Sequence, residues 1–147
     1  MSTTMLTLAA QENVTLIRVW GGGLIESETF YNLCDWLGIL VWQDLIQSSS
    51  GIENTASSDD TFLSLLRKTS AAAIASKRNH PSLAIWCGGN ELMKLEKVVP
   101  VDEKHKNIAM LKELVERLDG DRLFRPSTAS GPNCWYDGSG VKNHHDV

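Results

Sequence analysis

The sequence is short of positive charge, of cysteine and of long apolar runs, and each shortage excludes something. Lys and Arg number 14 against 18 Asp and Glu, a net charge of −4 over 147 residues. A surface for nucleic acid or an anionic membrane needs a basic patch, so this balance argues against both partners. No stretch approaches the roughly 18 to 20 apolar residues of a membrane span. Residues 1–10 have neither a basic start nor a long apolar run, so no signal peptide is read there, and the compartment stays open. Three cysteines, Cys34, Cys87 and Cys134, are odd in number and widely spaced, which gives neither a disulfide framework nor a CxxC metal site. Internal repeats and low-complexity tracts are absent as well.

What is there suits a single folded domain. The hydrophobic share is 42% and the charged share 22%, which excludes disorder. Five Trp outnumber three Phe. Large amphipathic rings have many uses, and stacking on a sugar is one of them.

Strand-like and helix-like segments alternate along the chain. Residues 5–12 read as the last turns of a helix. Residues 15–20 (TLIRVW) read as a strand, β-branched and apolar apart from Arg18, and a glycine triplet ends it. Ser27 suits the N-cap of a second helix that Gly38 stops. Residues 39–44 (ILVWQD) form the next strand, and a polar loop over 47–58 follows. A long helix begins near Asp59, with Phe62, Leu65, Leu66, Thr69 and Ala73 as its expected buried stripe, and ends before Pro81. Residues 82–87 (SLAIWC) predict a third strand that runs into Gly88, Gly89, Asn90 and Glu91. A helix over 102–118, with Ile108, Leu111, Val115 and Leu118 as its stripe, and a strand over 124–129 complete the pattern. Residues 130–147 read as a loop.

Such alternation predicts an α/β fold with a parallel sheet and right-handed crossovers. An open doubly wound sheet and a (β/α)8 barrel both fit, and both place their sites at the C-terminal strand ends. GGGLIE is not the dinucleotide fingerprint GxGxxG, which favours the barrel. A complete barrel needs about 250 residues, so this length corresponds to about half of one.

The polar and aromatic residues of the strands gather at those ends: Arg18 and Trp20, then Trp42 and Asp44, then Trp86, Asn90 and Glu91. A guanidinium on a buried strand needs a carboxylate or a polar cavity, and Asp44 or Glu91 can supply the first. A mouth of Trp, Arg, Asn and carboxylates suits a carbohydrate. Glu91 follows two glycines directly off a strand, where backbone approaches a ligand closely. Glycoside hydrolysis needs two carboxyls, one protonating the leaving oxygen and one attacking or activating water. Trp42 and Trp86 read as core, and His80 as part of a structural helix-to-strand turn. Adjacent His144 and His145 with Asp146 lack a partner motif for a metal, and a sugar-contacting loop is the better reading. No metal or organic cofactor is called for.

The segments LIRVWGGGLIESETFYNLCDWLGILVWQD and RNHPSLAIWCGGNE resemble the catalytic TIM barrel of family 2 glycoside hydrolases, the β-mannosidase-like branch in particular. The signatures RVWGGG, VWQD and WCGGNE occur in order, and the resemblance runs from about residue 5 to the tail. It implies a partial (β/α)8 barrel, strands two to five with their helices. It also implies retaining hydrolysis of a terminal β-linked sugar, a β-mannoside foremost, with an endo-β-mannosidase as the nearest alternative. By the same resemblance Glu91 is the general acid/base, Asn90 contacts the 2-hydroxyl, and Arg18, Trp20 and Asp44 line the sugar subsite.

One departure stands out. The family's nucleophile is a second Glu at the end of strand seven, and no remaining Glu here matches its motif. The flanking β-sandwich domains are missing too. Residues 1–147 are therefore expected to be a fragment of a catalytic barrel, inactive by itself. Two other readings remain: an assembly module that self-associates through exposed barrel edges, and a sugar-binding remnant without catalysis.

Overall fold

The computed structural model describes residues 2–50, 54–94 and 99–128. Four parallel strands form one sheet in the order β1-β2-β3-β4, where β1 is Leu16–Val19, β2 Leu40–Asp44, β3 Leu83–Cys87 and β4 Leu123–Arg125. Helices α1 (Thr3–Gln11), α2 (Glu28–Leu37), α3 (Asp60–Lys77) and α4 (Lys106–Asp119) alternate with them. Sequential parallel neighbours joined through helices are what a (β/α)8 barrel is built from, and four such units make a partial barrel. Among the described residues no helix is long and apolar enough to cross a membrane.

Local chemistry sets the boundaries. The Ser27 side chain accepts from the Phe30 N–H, and Asp59 accepts from the Phe62 N–H at 2.8 Å, each closing a helix N-terminus. Gly38 ends α2 in the left-handed region, at φ +71°. The fourth helix starts at Lys106, not Asp102, because the Asp102 carboxylate accepts from the Lys104 N–H and holds residues 103–104 in a turn, leaving His105 as the cap. The first strand stops at Val19, so Trp20 lies beyond it. The fourth covers only Leu123–Arg125; of the rest of its expected span, Ala129 lies outside the described residues, as do Cys134 and the His144–His145–Asp146 group.

Alternation gives the sheet two unlike faces. Ile17, Val19, Val41 and Phe124 point toward the helices, into a core shared with Phe30, Tyr31, Leu66, Ile74, Leu111 and Leu114. Leu16, Leu40 and Leu123 alternate with them onto the other face and are 41%, 43% and 48% exposed. Trp86 is fully buried, as expected, and its indole N–H donates to Asp119 at 2.8 Å; Trp42 is only partly buried.

The α3 stripe differs from its expectation. Leu63, Leu66, Ser70, Ile74 and Lys77 are buried, whereas Leu65 is 61% exposed. Three consecutive alanines, Ala71 to Ala73, blur the periodicity, and a lysine takes an inner position. The Lys77 stem lies along the core, its ammonium 5.1 Å over the Tyr31 ring and paired with Glu28. His80 completes this cluster: its ring nitrogens lie 2.7 Å from Asp35 and 3.0 Å from Glu28, and it stacks on Tyr31. The hydrogen bonds from Lys77 and His80 hold the Glu28 carboxyl below its ordinary value. Burial alone would raise Asp35, but hydrogen bonds from Ser82 and His80 outweigh it and lower that carboxyl too.

Candidate active site

Three strand ends converge. From β1, Arg18 reaches Asp44 at the end of β2 through two hydrogen bonds, Nε at 3.3 Å and Nη2 at 2.6 Å. Asp44 is fully buried, and its oxygens also accept from the Gly21 N–H at 3.1 Å and the Trp42 indole N–H at 3.0 Å. Four donors satisfy this carboxylate, which is what a charge out of contact with water requires. The same Arg18 nitrogen donates to the Asn90 Oδ1 at 2.8 Å, beyond β3. Asn90 Nδ2 then donates to the Ser48 hydroxyl at 3.0 Å, so both ends of the amide are engaged and its orientation is set.

Glu91 comes next in the chain and is partly exposed. One of its oxygens accepts from the Ser49 hydroxyl at 3.2 Å. Its backbone is left-handed, with φ at +52°. The turn before it passes close to neighbouring chain. A Cβ on Gly88 would lie 2.4 Å from the Pro126 carbonyl, and one on Gly89 would lie 2.7 Å from the Gln47 side chain. Only glycine lets β3 leave the sheet along this path.

Gln47 supports the turn from the other side. It donates to the Gly88 carbonyl at 2.6 Å and exchanges two hydrogen bonds with Asn107 of α4, at 2.8 and 3.0 Å. The Cys87 thiol beneath is fully buried, and burial, then the Asp44 charge, push its pKa up.

The expected site residues are thus distributed as follows. Arg18, Asp44 and Asn90 are joined by direct hydrogen bonds, and Glu91 adjoins them. Trp20 is 53% exposed, its ring over Gly22, and with Arg18 and Glu26 it lines a groove of 250 Å³ along β1. Sequence reasoning missed Gln47, Ser48, Ser49, Ser127 and Thr128. The run Ser48 to Ser50, in the polar loop after the second strand, was the one available signal. Among the described residues no three His, Cys, Asp or Glu side chains converge as a metal site would require.

Comparison with known proteins agrees with this architecture. The sequence model described as "Glycosyl hydrolases family 2, TIM barrel domain" matches residues 25–131. A β-mannosidase of Rattus norvegicus is 40% identical over 87 residues, which is 59% of this chain and 9% of that protein. β-Mannosidase B of Thermothelomyces thermophilus is 40% identical over 84 residues, 57% of this chain and 9% of that protein. The chain therefore spans about a tenth of the curated relatives it matches. The solved structure of a β-D-mannosidase from Dictyoglomus thermophilum superimposes with a TM-score of 0.70 at 33% identity, covering 87% of this chain and 16% of that one. β-Glucuronidase 3 of Bacteroides uniformis, at 24% identity and a TM-score of 0.61, shares the fold over 84% of this chain and 16% of its own. With most of its length matched, the chain belongs to the family 2 glycosyl hydrolases, by way of their TIM barrel domain.

Proposed function

We propose that this chain is part of a retaining glycoside hydrolase acting on terminal β-linked sugars, β-mannosides foremost, in which Glu91 is the general acid/base. One observation carries the reading: a partly exposed carboxyl stands at the C-terminal ends of parallel strands, next to an amide fixed by Arg18 and Ser48. That rim is where barrel enzymes hold their reacting groups. In this reading Glu91 gives its proton to the departing glycosidic oxygen, then takes one from the attacking water. Asn90 holds the sugar 2-hydroxyl, and Arg18, Asp44 and Trp20 shape the subsite.

Retention requires a second carboxyl about 5 to 5.5 Å away. Asp44 is a poor nucleophile, because both its oxygens are taken by donors. The second carboxyl is therefore assigned to a part of the protein outside the described residues.

Two measurements test the reading. Titration with millimolar mannose, followed by NMR, is expected to shift the Asn90 and Glu91 signals; unmoved signals overturn the subsite. With an aryl β-mannoside, the chain by itself is expected to stay at the buffer rate. Robust turnover that Glu91→Gln abolishes would overturn the need for a carboxyl from elsewhere.

The exposed row of Leu16, Leu40 and Leu123 favours a second reading, self-association over the open sheet face. The outer edges of β1 and β4, unpaired among the described residues, add a template for the same event. Sedimentation over a concentration series is expected to give a rising mass that Leu40→Glu suppresses; a constant monomer mass removes this reading.

A further inference from the structure

Glu91 is one of two non-glycine residues with positive φ among those described; the other is Asn13. Asparagine enters the left-handed region readily, whereas a glutamate there is strained and persists only when its surroundings over-determine it. The surroundings here do so through three successive amides. The Asn90 N–H donates to the Gln47 carbonyl at 3.1 Å, the Glu91 N–H to the Thr128 hydroxyl at 3.0 Å, and the Leu92 N–H to the Ser127 hydroxyl at 2.9 Å. Ser127 in turn donates to the Gly89 carbonyl at 3.3 Å, which closes the turn on itself. Ser127 is 0% exposed and Thr128 2%, so no water competes for these hydroxyls. Glycine would take the same backbone without steric cost but brings no carboxyl.

We propose that Thr128 and Ser127, just beyond β4, are positioning residues that hold Glu91 in its left-handed backbone and so present its carboxyl beside Ser49 and Asn90. The functional meaning of this clamp rests on the acid/base reading of Glu91; the clamp itself does not.

The test compares Thr128→Val, which keeps the shape and removes the hydroxyl, with Thr128→Ser, which restores it. Amide hydrogen exchange in the 147-residue chain is followed by NMR. Thr128→Val is expected to speed exchange at Glu91 by about tenfold or more, with Trp42 and Ile85 in the sheet changed by less than about twofold. Thr128→Ser is expected to return Glu91 to within about threefold of the parent. Unchanged exchange at Glu91, or equal damage from Val and Ser, overturns the proposal. A Glu91→Gly background supplies the second arm, because glycine needs no clamp. There Thr128→Val is expected to lower the melting temperature by less than half as much as in the parent, and an equal drop overturns the proposal. If Thr128→Val fails to fold, the pair with Glu91→Gly decides: recovery of the fold supports the clamp and continued unfolding refutes it. The mannose titration addresses the sugar-site reading of Glu91 separately, so its failure would leave these exchange patterns as they are.

Discussion

Arg18 holds Asp44 through two hydrogen bonds across adjacent parallel strands, and Asp44 is shut off from water. A buried carboxylate that loses its cationic partner keeps the full cost of its desolvation. Arg18→Met is therefore expected to destabilise the chain by about 3 kcal/mol in urea unfolding. Adding Asp44→Asn removes the stranded charge, so the double variant is expected to be more stable than Arg18→Met alone. A double variant that loses the sum of both single effects would show that the two groups act independently.

The cluster of Glu28, Asp35, Lys77 and His80 sets a pH response. Both carboxyls are held below their ordinary values in the fold, so the unfolded chain binds more protons as acid is added. Their contribution is complete above the ordinary carboxylate range and is lost as pH falls through the lowered values. Melting temperatures taken from about pH 6 down to about pH 2.5 are expected to fall less steeply in Asp35→Asn than in the parent. Parallel curves would mean that Asp35 carries none of the acid sensitivity.

Gln47 and Asn107 form a closed pair of amides, Asn107 with 0% of its surface exposed. Asn107→Leu strands the Gln47 amide in the interior, at an expected cost of about 1–3 kcal/mol. Replacing both, with Gln47→Met and Asn107→Leu, removes the stranded amide, leaves only the Gly88 and Ser57 carbonyls short of a donor, and is expected to cost less than the two single effects added together. Chemical denaturation of the four proteins measures the coupling directly.

Much of this arrangement was legible in the residues. The strands announced themselves as short apolar runs with polar or aromatic side chains near their C-terminal ends, and Ser27, Asp59 and Gly38 marked helix ends by chemistry that is local. Arg18 needed a carboxylate, and Asp44 was one of two named for it. The illegible parts depend on distant chain. Nothing in the spacing of α3 reveals that Lys77 is drawn inward, because its partners Glu28 and Tyr31 lie in α2. Gln47 looked like an ordinary loop residue, since its partner Asn107 is 60 positions away. The hydroxyls of Ser127 and Thr128 acquire meaning only once β4 is laid beside β3.

The left-handed Glu91 also has an evolutionary corollary. A glutamate in that conformation forgoes about 1–2 kcal/mol that glycine would not. Glutamate and glycine codons differ by a single base. Should selection on the carboxyl ever relax, a short downhill step is open at this position, and a glycine found there in a descendant would be the genetic scar of a carboxyl no longer required.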